Sequence, residues 1–437
     1  MRTEKDFLGE RELPDDALYG INTLRASENF ALNHKRTNSK LISAVITVKK
    51  AAAISHMKLD KEHSEKWRAI IDACDKLISG DYSEQFITEA LQGGAGTSVN
   101  MNVNEVIAHI SGEIINKPIN YLDDVNKGQS TNDVYPTALR IAAIKELRVL
   151  SERCAELQKA LQEKENEFSD IKKLGRTELM DAVPITLGES FGSYAQAVSR
   201  DRWRLYKVEE RLRQVNIGGT AVGLANAAEH KYRFSVIEEL RQLTDIGLAA
   251  AEYPMDITQN NDVFVEVSGL LKALAVTLMK ISNDLRLMNS GPYGGLSEIK
   301  LPPMQQGSSI MPAKVNPVIP EMVMQVSMRV IANDSAITMA AAHGEFELNA
   351  FLPLIADSLL ESLELLGNAV ELFRTRCICG ITANHKNCQK HLENSFAFAA
   401  DYITKIGYER VAELIRAYDG RPHELHKALE AISAEVN

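Results

Sequence analysis

The sequence predicts a mainly α-helical protein built around a bundle of long helices. Three observations predict it. Aromatic residues are only 6% of the 437, although 45% are hydrophobic and Ala and Leu are plentiful. That balance leans toward helix over sheet. The 38 positions from Thr137 to Leu174 contain neither Gly nor Pro, and a helix that long could reach ~57 Å at 1.5 Å per residue. Within it Ala143, Leu147, Leu150, Cys154, Leu157 and Leu161 recur at a 4-3-4-3-4 spacing, a seam meant to face other helices.

The other elements follow from where Gly and Pro fall. Ser193 to Ile217, Leu270 to Ser290 and Glu321 to His343 are further uninterrupted stretches, and Leu354 to Leu366 and Asn368 to Cys379 are two shorter ones. Several long helices in mid-chain imply a bundle, and a bundle that exposes apolar seams buries them by oligomerising. Turn signals such as Glu12-Leu13-Pro14-Asp15-Asp16 and Gln92-Gly93-Gly94-Ala95-Gly96 break up the first third of the chain. Gly380 opens a polar stretch and then shorter helical patterns. The expected division is therefore 1–133, a bundle over 134–379, and a small helical domain over 380–437.

Composition excludes several roles. The net charge of −10 opposes coating a nucleic acid or a polybasic membrane contact. No apolar run is long enough to span a bilayer, and no apolar segment follows the polar start Met1-Arg2-Thr3-Glu4-Lys5-Asp6. Cys74, Cys154, Cys377, Cys379 and Cys388 are few and odd in number, a poor fit to a secreted disulfide framework. A reduced, cytoplasmic setting is expected.

Four polar segments carry the chemistry. Gly93–Asn102 offers a glycine turn, two hydroxyls and two amides. Asn126–Asp133 repeats that inventory just before the long helix. Gly175–Pro184 is expected to close that helix and open the next. Gln305–Pro317 is a loop between bundle helices, with Gly307 beside Ser308 and Ser309, then Lys314 and Asn316 between two prolines. Each has a plain reading as well: Ser, Thr and Asn before a helix are commonly N-caps, and a short glycine run is a weak anion signal. Loops this polar between long helices are more often functional. Many neutral donors with a lysine suit a small dicarboxylate. They also suit a carbanion, whose extra charge falls on the neighbouring carboxylate and is stabilised by donors already in place.

The segment GSSIMPAKVN, Gly307 to Asn316, resembles the signature of the aspartase/fumarase superfamily. GTSVNMNVNE from Gly96, QSTND from Gln129 and GRTELMDAVP from Gly175 match its other blocks in order. The openings from Asp6 to Glu12 and Leu18 to Ala26, with Gly380 to Asn384, look like the aspartase branch. The resemblance covers nearly the whole chain. It implies a three-domain helical fold, a homotetramer with a twenty-helix core, and active sites shared by three subunits. It further implies non-oxidative β-elimination of L-aspartate to fumarate and ammonia, with no cofactor. By motif, Ser308 would be the base that takes the Cβ proton. Its poor basicity would be offset by backbone N–H groups of its loop, which stabilise the alkoxide. Thr97, Ser130, Thr131 and Ser309 would hold the carboxylate beside the carbanion. Thr177, Lys314 and Asn316 would hold the other, and Asn132 would sit near the leaving group.

Glu178 departs from the family, which places His or Gln there. An anion beside a dicarboxylate repels it unless a cation intervenes, and the substrate ammonium could be that cation. Glu178 is then either the amine reader or a member of a structural salt bridge. Glu321, whose family counterpart in hydratases pairs with the His, would face Glu178, raising the pKa of one of them. Asp181 reads as a local backbone cap. Cys377, Cys379, His385, Cys388 and His391 imitate a zinc set, but Cys-x-Cys departs from usual structural spacing and no metal is expected. His230 and His343 read as packing or surface residues. The rival readings are a fumarate hydratase, disfavoured by the missing His, a lyase for another amino- or N-substituted succinate, and a non-catalytic helical scaffold. The intact Ser308, Lys314 and Asn316 argue against the last, since a scaffold gains nothing from a polar cluster that is costly to keep.

Overall fold

The computed structural model describes residues 1–226 and 228–436. The chain forms two compact units. The first comprises Met1–Ser151, Arg204–Ala273 and Arg329–Leu366; the second comprises Glu152–Trp203, Leu274–Met328 and Gly367–Asn437. Five long helices, Thr131–Glu167, Leu187–Leu212, Asp262–Met288, Val318–Ala342 and Leu352–Arg376, contribute residues to both. The units interleave along the chain, whereas the division at 133 and 379 follows the chain itself. The Thr131–Glu167 helix starts near residue 133, and a short turn lies at Ile378–Gly380.

The seam residues Ala143, Leu147, Leu150, Cys154, Leu157 and Leu161 are all buried within this one chain. Burying such a row is what holds a helix of this length in place, since intrinsic propensity alone is weak. In the first unit the Ser39–Leu59 helix packs against Ser64–Ser79 and His230–Thr244. Its start is fixed by Asn38, whose side chain accepts the Lys40 N–H. His56 stacks between Trp67 and Tyr232, with ring centroids 4.8 and 4.5 Å away. In the second unit, the residues after Gly380 form their own small core of Ala399, Val411, Leu414, Leu425 and Leu429.

Two sequence expectations shift. The Gly- and Pro-free stretch does not stay helical to Leu174. The helix begins at Thr131, takes in Pro136 and stops at Glu167. Lys172–Thr177 instead pairs antiparallel with Met180–Thr186, so the GRTELMDAVP block is a hairpin and not a helix junction. The strand partner across the turn outweighs the helical preference of an isolated segment. The second shift is a merger: Leu354–Leu366 and Asn368–Cys379 lie on the single helix Leu352–Arg376. Gly367 sits inside it, with Arg153 Nη1 3.0 Å from where a Cβ would stand.

Candidate functional site

The first unit builds a cluster around two helix starts. Gly96, left-handed at φ 92, precedes the Thr97–Ile115 helix. A side chain there would collide with the Tyr135 ring, so glycine lets this helix start lie against the first turns of the Thr131–Glu167 helix. Each start carries the positive end of a helix dipole, which favours anions. Asn100 joins them: its Nδ2 donates to Thr131 Oγ1 and Asn126 Oδ1, both at 3.2 Å. The Thr97 hydroxyl donates to the Gly94 carbonyl at 2.7 Å.

Ser130, Thr131 and Asn132 are tied down from behind. The Asn132 N–H donates to Ser130 Oγ at 3.2 Å, a cap-like contact. Pro136 has no N–H for the Asn132 carbonyl one turn back, and Asn216 Nδ2 takes its place at 3.0 Å. Asn132 Nδ2 is committed to the Ala221 carbonyl at 2.8 Å. Asp133 is fully buried and accepts from the N–H groups of Ser130, Gly218 and Thr220. Burial pushes its carboxyl up to about 6. Lys49, equally buried, donates to Asn126 Oδ1 at 2.8 Å and Gln129 Oε1 at 3.0 Å. Burial pulls its ammonium down to about 7.

The second unit holds the other candidates. The loop after Gln305 closes on itself: the Gly307 N–H donates to the Lys314 carbonyl at 2.8 Å, and Asn316 Nδ2 donates to the Gly307 carbonyl at 2.9 Å. Within it, the N–H groups of Ile310 and Met311 donate to Ser308 Oγ at 3.2 and 2.9 Å. Two donors on one hydroxyl oxygen favour negative charge on that oxygen. Ser309 and Lys314 are exposed. Thr177, Glu178 and Leu179 form the exposed hairpin tip, with Glu178 and Leu179 both left-handed (φ 53 and 67) and Thr177 paired with Met180. That is a two-residue I′-type turn made without glycine or asparagine. Among the described residues no ion pair reaches Glu178, while Glu321 lies 3.8 Å from Arg286. Glu321 thus has a counter-charge within its own chain.

The candidates therefore fall into two groups. Thr97, Ser130, Thr131 and Asn132 belong to the first unit. Thr177, Glu178, Ser308, Ser309, Lys314, Asn316 and Glu321 belong to the second. Sequence reasoning missed Lys49, Asn104 and Glu298. Asn104 Nδ2 reaches Asn126 Oδ1 at 3.1 Å, beside Lys49. A lysine on the apolar face of a helix, after Val45 and Val48, was the available signal for Lys49. Of the zinc-like set, Cys388 Sγ meets the Glu298 carbonyl and His391 Nε2 the Leu296 carbonyl. His230 lies against Phe234, and His343 Nδ1 meets the Met339 carbonyl.

Comparison with known proteins places this arrangement. A family model described as "Lyase" matches residues 9–332. The aspartate ammonia-lyase of Helicobacter pylori is 44% identical over 95% of this chain and 91% of its own length; that of Bacillus subtilis is 41% identical over 95% and 89%. Among solved structures, a fumarate lyase:delta crystallin from Brucella melitensis bound to cobalt has a TM-score of 0.94 at 44% identity, covering 100% of this chain and 98% of that one. A class II fumarase from Schistosoma mansoni has a TM-score of 0.94 at 30% identity, covering 98% and 95%. No described helix is long and apolar enough to cross a membrane. The mainly helical fold is thus that of the aspartase/fumarase superfamily, and the chain belongs to its lyase family as a carbon–nitrogen lyase on the aspartate ammonia-lyase branch.

Proposed function

We propose that this enzyme converts L-aspartate to fumarate and ammonia, with Ser308 as the base. The observation that carries the reading is the pair of backbone N–H groups on Ser308 Oγ. A serine hydroxyl is a weak base in water, and donors fixed at its oxygen make the alkoxide accessible. The alkoxide takes the Cβ proton. The electron pair moves onto the adjacent carboxylate, which becomes an aci-carboxylate with two negative charges. The pair then returns to form the Cα–Cβ double bond, and the substrate ammonium departs as neutral ammonia with the C–N electrons. The proton taken up by Ser308 passes to the ammonia, which leaves as ammonium, and the alkoxide is restored for the next turnover.

Thr97, Ser130, Thr131 and Ser309 hold the carboxylate that gains charge. The helix starts at Thr97 and Thr131 supply the field that favours it. Lys314, Asn316 and Thr177 hold the distal carboxylate, with Lys314 exposed and able to reach outward. Asn132 lies near the leaving group and Glu178 reads the amine. We assign the working form to a cytoplasmic homotetramer in which three chains complete each site, and the segments 1–133, 134–379 and 380–437 to three domains.

The test is ultraviolet absorbance of fumarate's conjugated double bond, with purified protein offered L-aspartate and then L-malate. A rise with aspartate alone is expected. A rise with malate alone means a hydratase and ends the amine role of Glu178. Silence with both, in folded tetrameric protein, points to an N-substituted aspartate, a reading kept open by a Glu178 carboxylate that no ion pair among the described residues engages. Fumarate offered with a panel of amines would then find the substrate.

A further inference from the structure

Glu298 lies outside every motif above, yet it is the most completely enclosed carboxylate of the second unit, at 0% exposure. Its partners are Lys173 at 3.1 Å and Arg176 at 2.8 Å, both on the first strand of the Lys172–Thr186 hairpin. Two residues three apart on a regular strand face opposite sides. Here the ladder slips between Leu174 and Arg176, where Gly175 alone stands opposite Ala182 and Val183 on the other strand, and at this bulge Lys173 and Arg176 both reach Glu298. The slip falls at Gly175, where a Cβ would stand 2.7 Å from the Val183 carbonyl. Opposite Leu174 is Pro184, which has no N–H to give. The Leu174 carbonyl is met instead by Lys173 Nζ at 3.0 Å and Arg176 Nη1 at 3.3 Å. The irregular strand is therefore held by two cations whose shared anchor is Glu298.

Glu298 is itself fixed on three sides. Its N–H donates to the Met288 carbonyl, its carbonyl accepts the Asn384 N–H, both at 2.8 Å, and Cys388 Sγ meets the same carbonyl at 3.5 Å. The next residues, Ile299–Lys300, pair with Thr382–Ala383 and lead toward the Ser308 loop. One buried carboxylate thus ties the hairpin that ends in Thr177 and Glu178 to the segment that leads into the serine loop.

We propose that Glu298 is a positioning residue for substrate binding: by clamping Lys173 and Arg176 it fixes where the Thr177–Glu178 turn stands. The inference rests on the reading that this turn grips the substrate. A buried ion triad of this kind adds little net stability but selects one geometry, and geometry at the substrate's far end is read as affinity.

Glu298→Gln keeps the shape and removes the charge, leaving two buried cations. Loss of placement raises KM for L-aspartate about tenfold while kcat stays within about twofold. A purely electrostatic role predicts the opposite sign, because extra positive charge near a dicarboxylate of net negative charge lowers KM. Adding Lys173→Met to Glu298→Gln restores the original net charge without restoring the clamp, so KM stays raised. A return to the parental KM would mean that charge alone matters. Hydrogen exchange should quicken across residues 172–186 in Glu298→Gln and stay unchanged in the five long helices. If Glu298→Gln does not fold, Arg176→Lys keeps the charge with a shorter reach, and the same split between KM and kcat is read there. A KM that is unchanged or lowered, or a fall confined to kcat, overturns the inference. Parental protein inactive on L-aspartate would instead condemn the substrate reading, and the exchange measurement still decides whether Glu298 anchors the hairpin.

Discussion

Lys49 and Asp133 carry opposite charges, and both are wholly buried behind the loop that presents Ser130 and Thr131. Asp133 has its carboxyl pushed up to about 6 by burial. The folded state therefore holds a proton that the unfolded chain has released above its ordinary carboxylate range. The stability this contributes is complete below that range and is lost as pH rises through about 6. The advantage of the parental protein over Asp133→Asn, measured by urea unfolding, should shrink by about 2 kcal/mol between pH 4 and pH 7. A constant difference would show that Asp133 is ionised throughout. Glu178 makes the second residue-scale prediction. If its carboxylate meets the substrate ammonium, Glu178→Gln lowers kcat/KM for L-aspartate about tenfold and narrows the preference over L-malate. An unchanged preference rules the amine role out. Glu178 and the serine loop were legible in the sequence because their chemistry is local to a motif. Lys49 and Glu298 were not, because their partners lie far along the chain and only folding brings them into contact.

The elements tell a similar story with different physics. The long helices were legible from stretches without Gly or Pro, and the longest also from a row of apolar residues, since a seam of period 3.5 has few other uses. Their ends were not. The hairpin at Lys172–Thr186 depends on pairing across a turn whose two central residues, Glu178 and Leu179, lack the glycine or asparagine that normally betrays such turns. Conversely Gly367 looked like a break and is a point of close approach for Arg153. The serine loop is the element whose function depends most on one small residue. A Cβ on Gly307 would stand 2.6 Å from the Lys314 carbonyl and 2.9 Å from the Asn316 nitrogen, both backbone atoms that cannot step aside. Gly307→Ala should therefore open the loop, displace Ser308 and lower kcat/KM about a hundredfold, since an ångström of misplacement costs that much. The melting temperature should move little, because the residues from Ser309 to Val315 are exposed. A variant that melts early in proportion to its lost activity would show that the glycine serves the fold and not the geometry of the serine.

At the scale of the whole molecule, the buried seam and the exposed apolar residues have to be read together. The 4-3-4-3-4 row of the Thr131–Glu167 helix is spent inside one chain. Apolar surface nevertheless remains on the other long helices, with Tyr206, Val276, Met328 and Met339 each more than half exposed. A symmetric assembly of the kind proposed would cover residues of this sort. A site completed by several chains makes a prediction that no single-chain site can satisfy. Ser308→Ala removes the proposed base from one candidate group; Ser130→Ala with Thr131→Val removes the proposed carboxylate donors from the other. Each variant alone should be nearly inactive. Co-expressed with different tags and purified through both, they should recover activity, because some sites then draw an intact serine loop from one chain and intact Ser130 and Thr131 from another. Random mixing puts the ceiling at about a quarter of the parental activity per site, the fraction of sites that receive both intact segments. If each chain supplied its whole site, every site would carry one defect or the other, and the mixed tetramer would be as inactive as its parents.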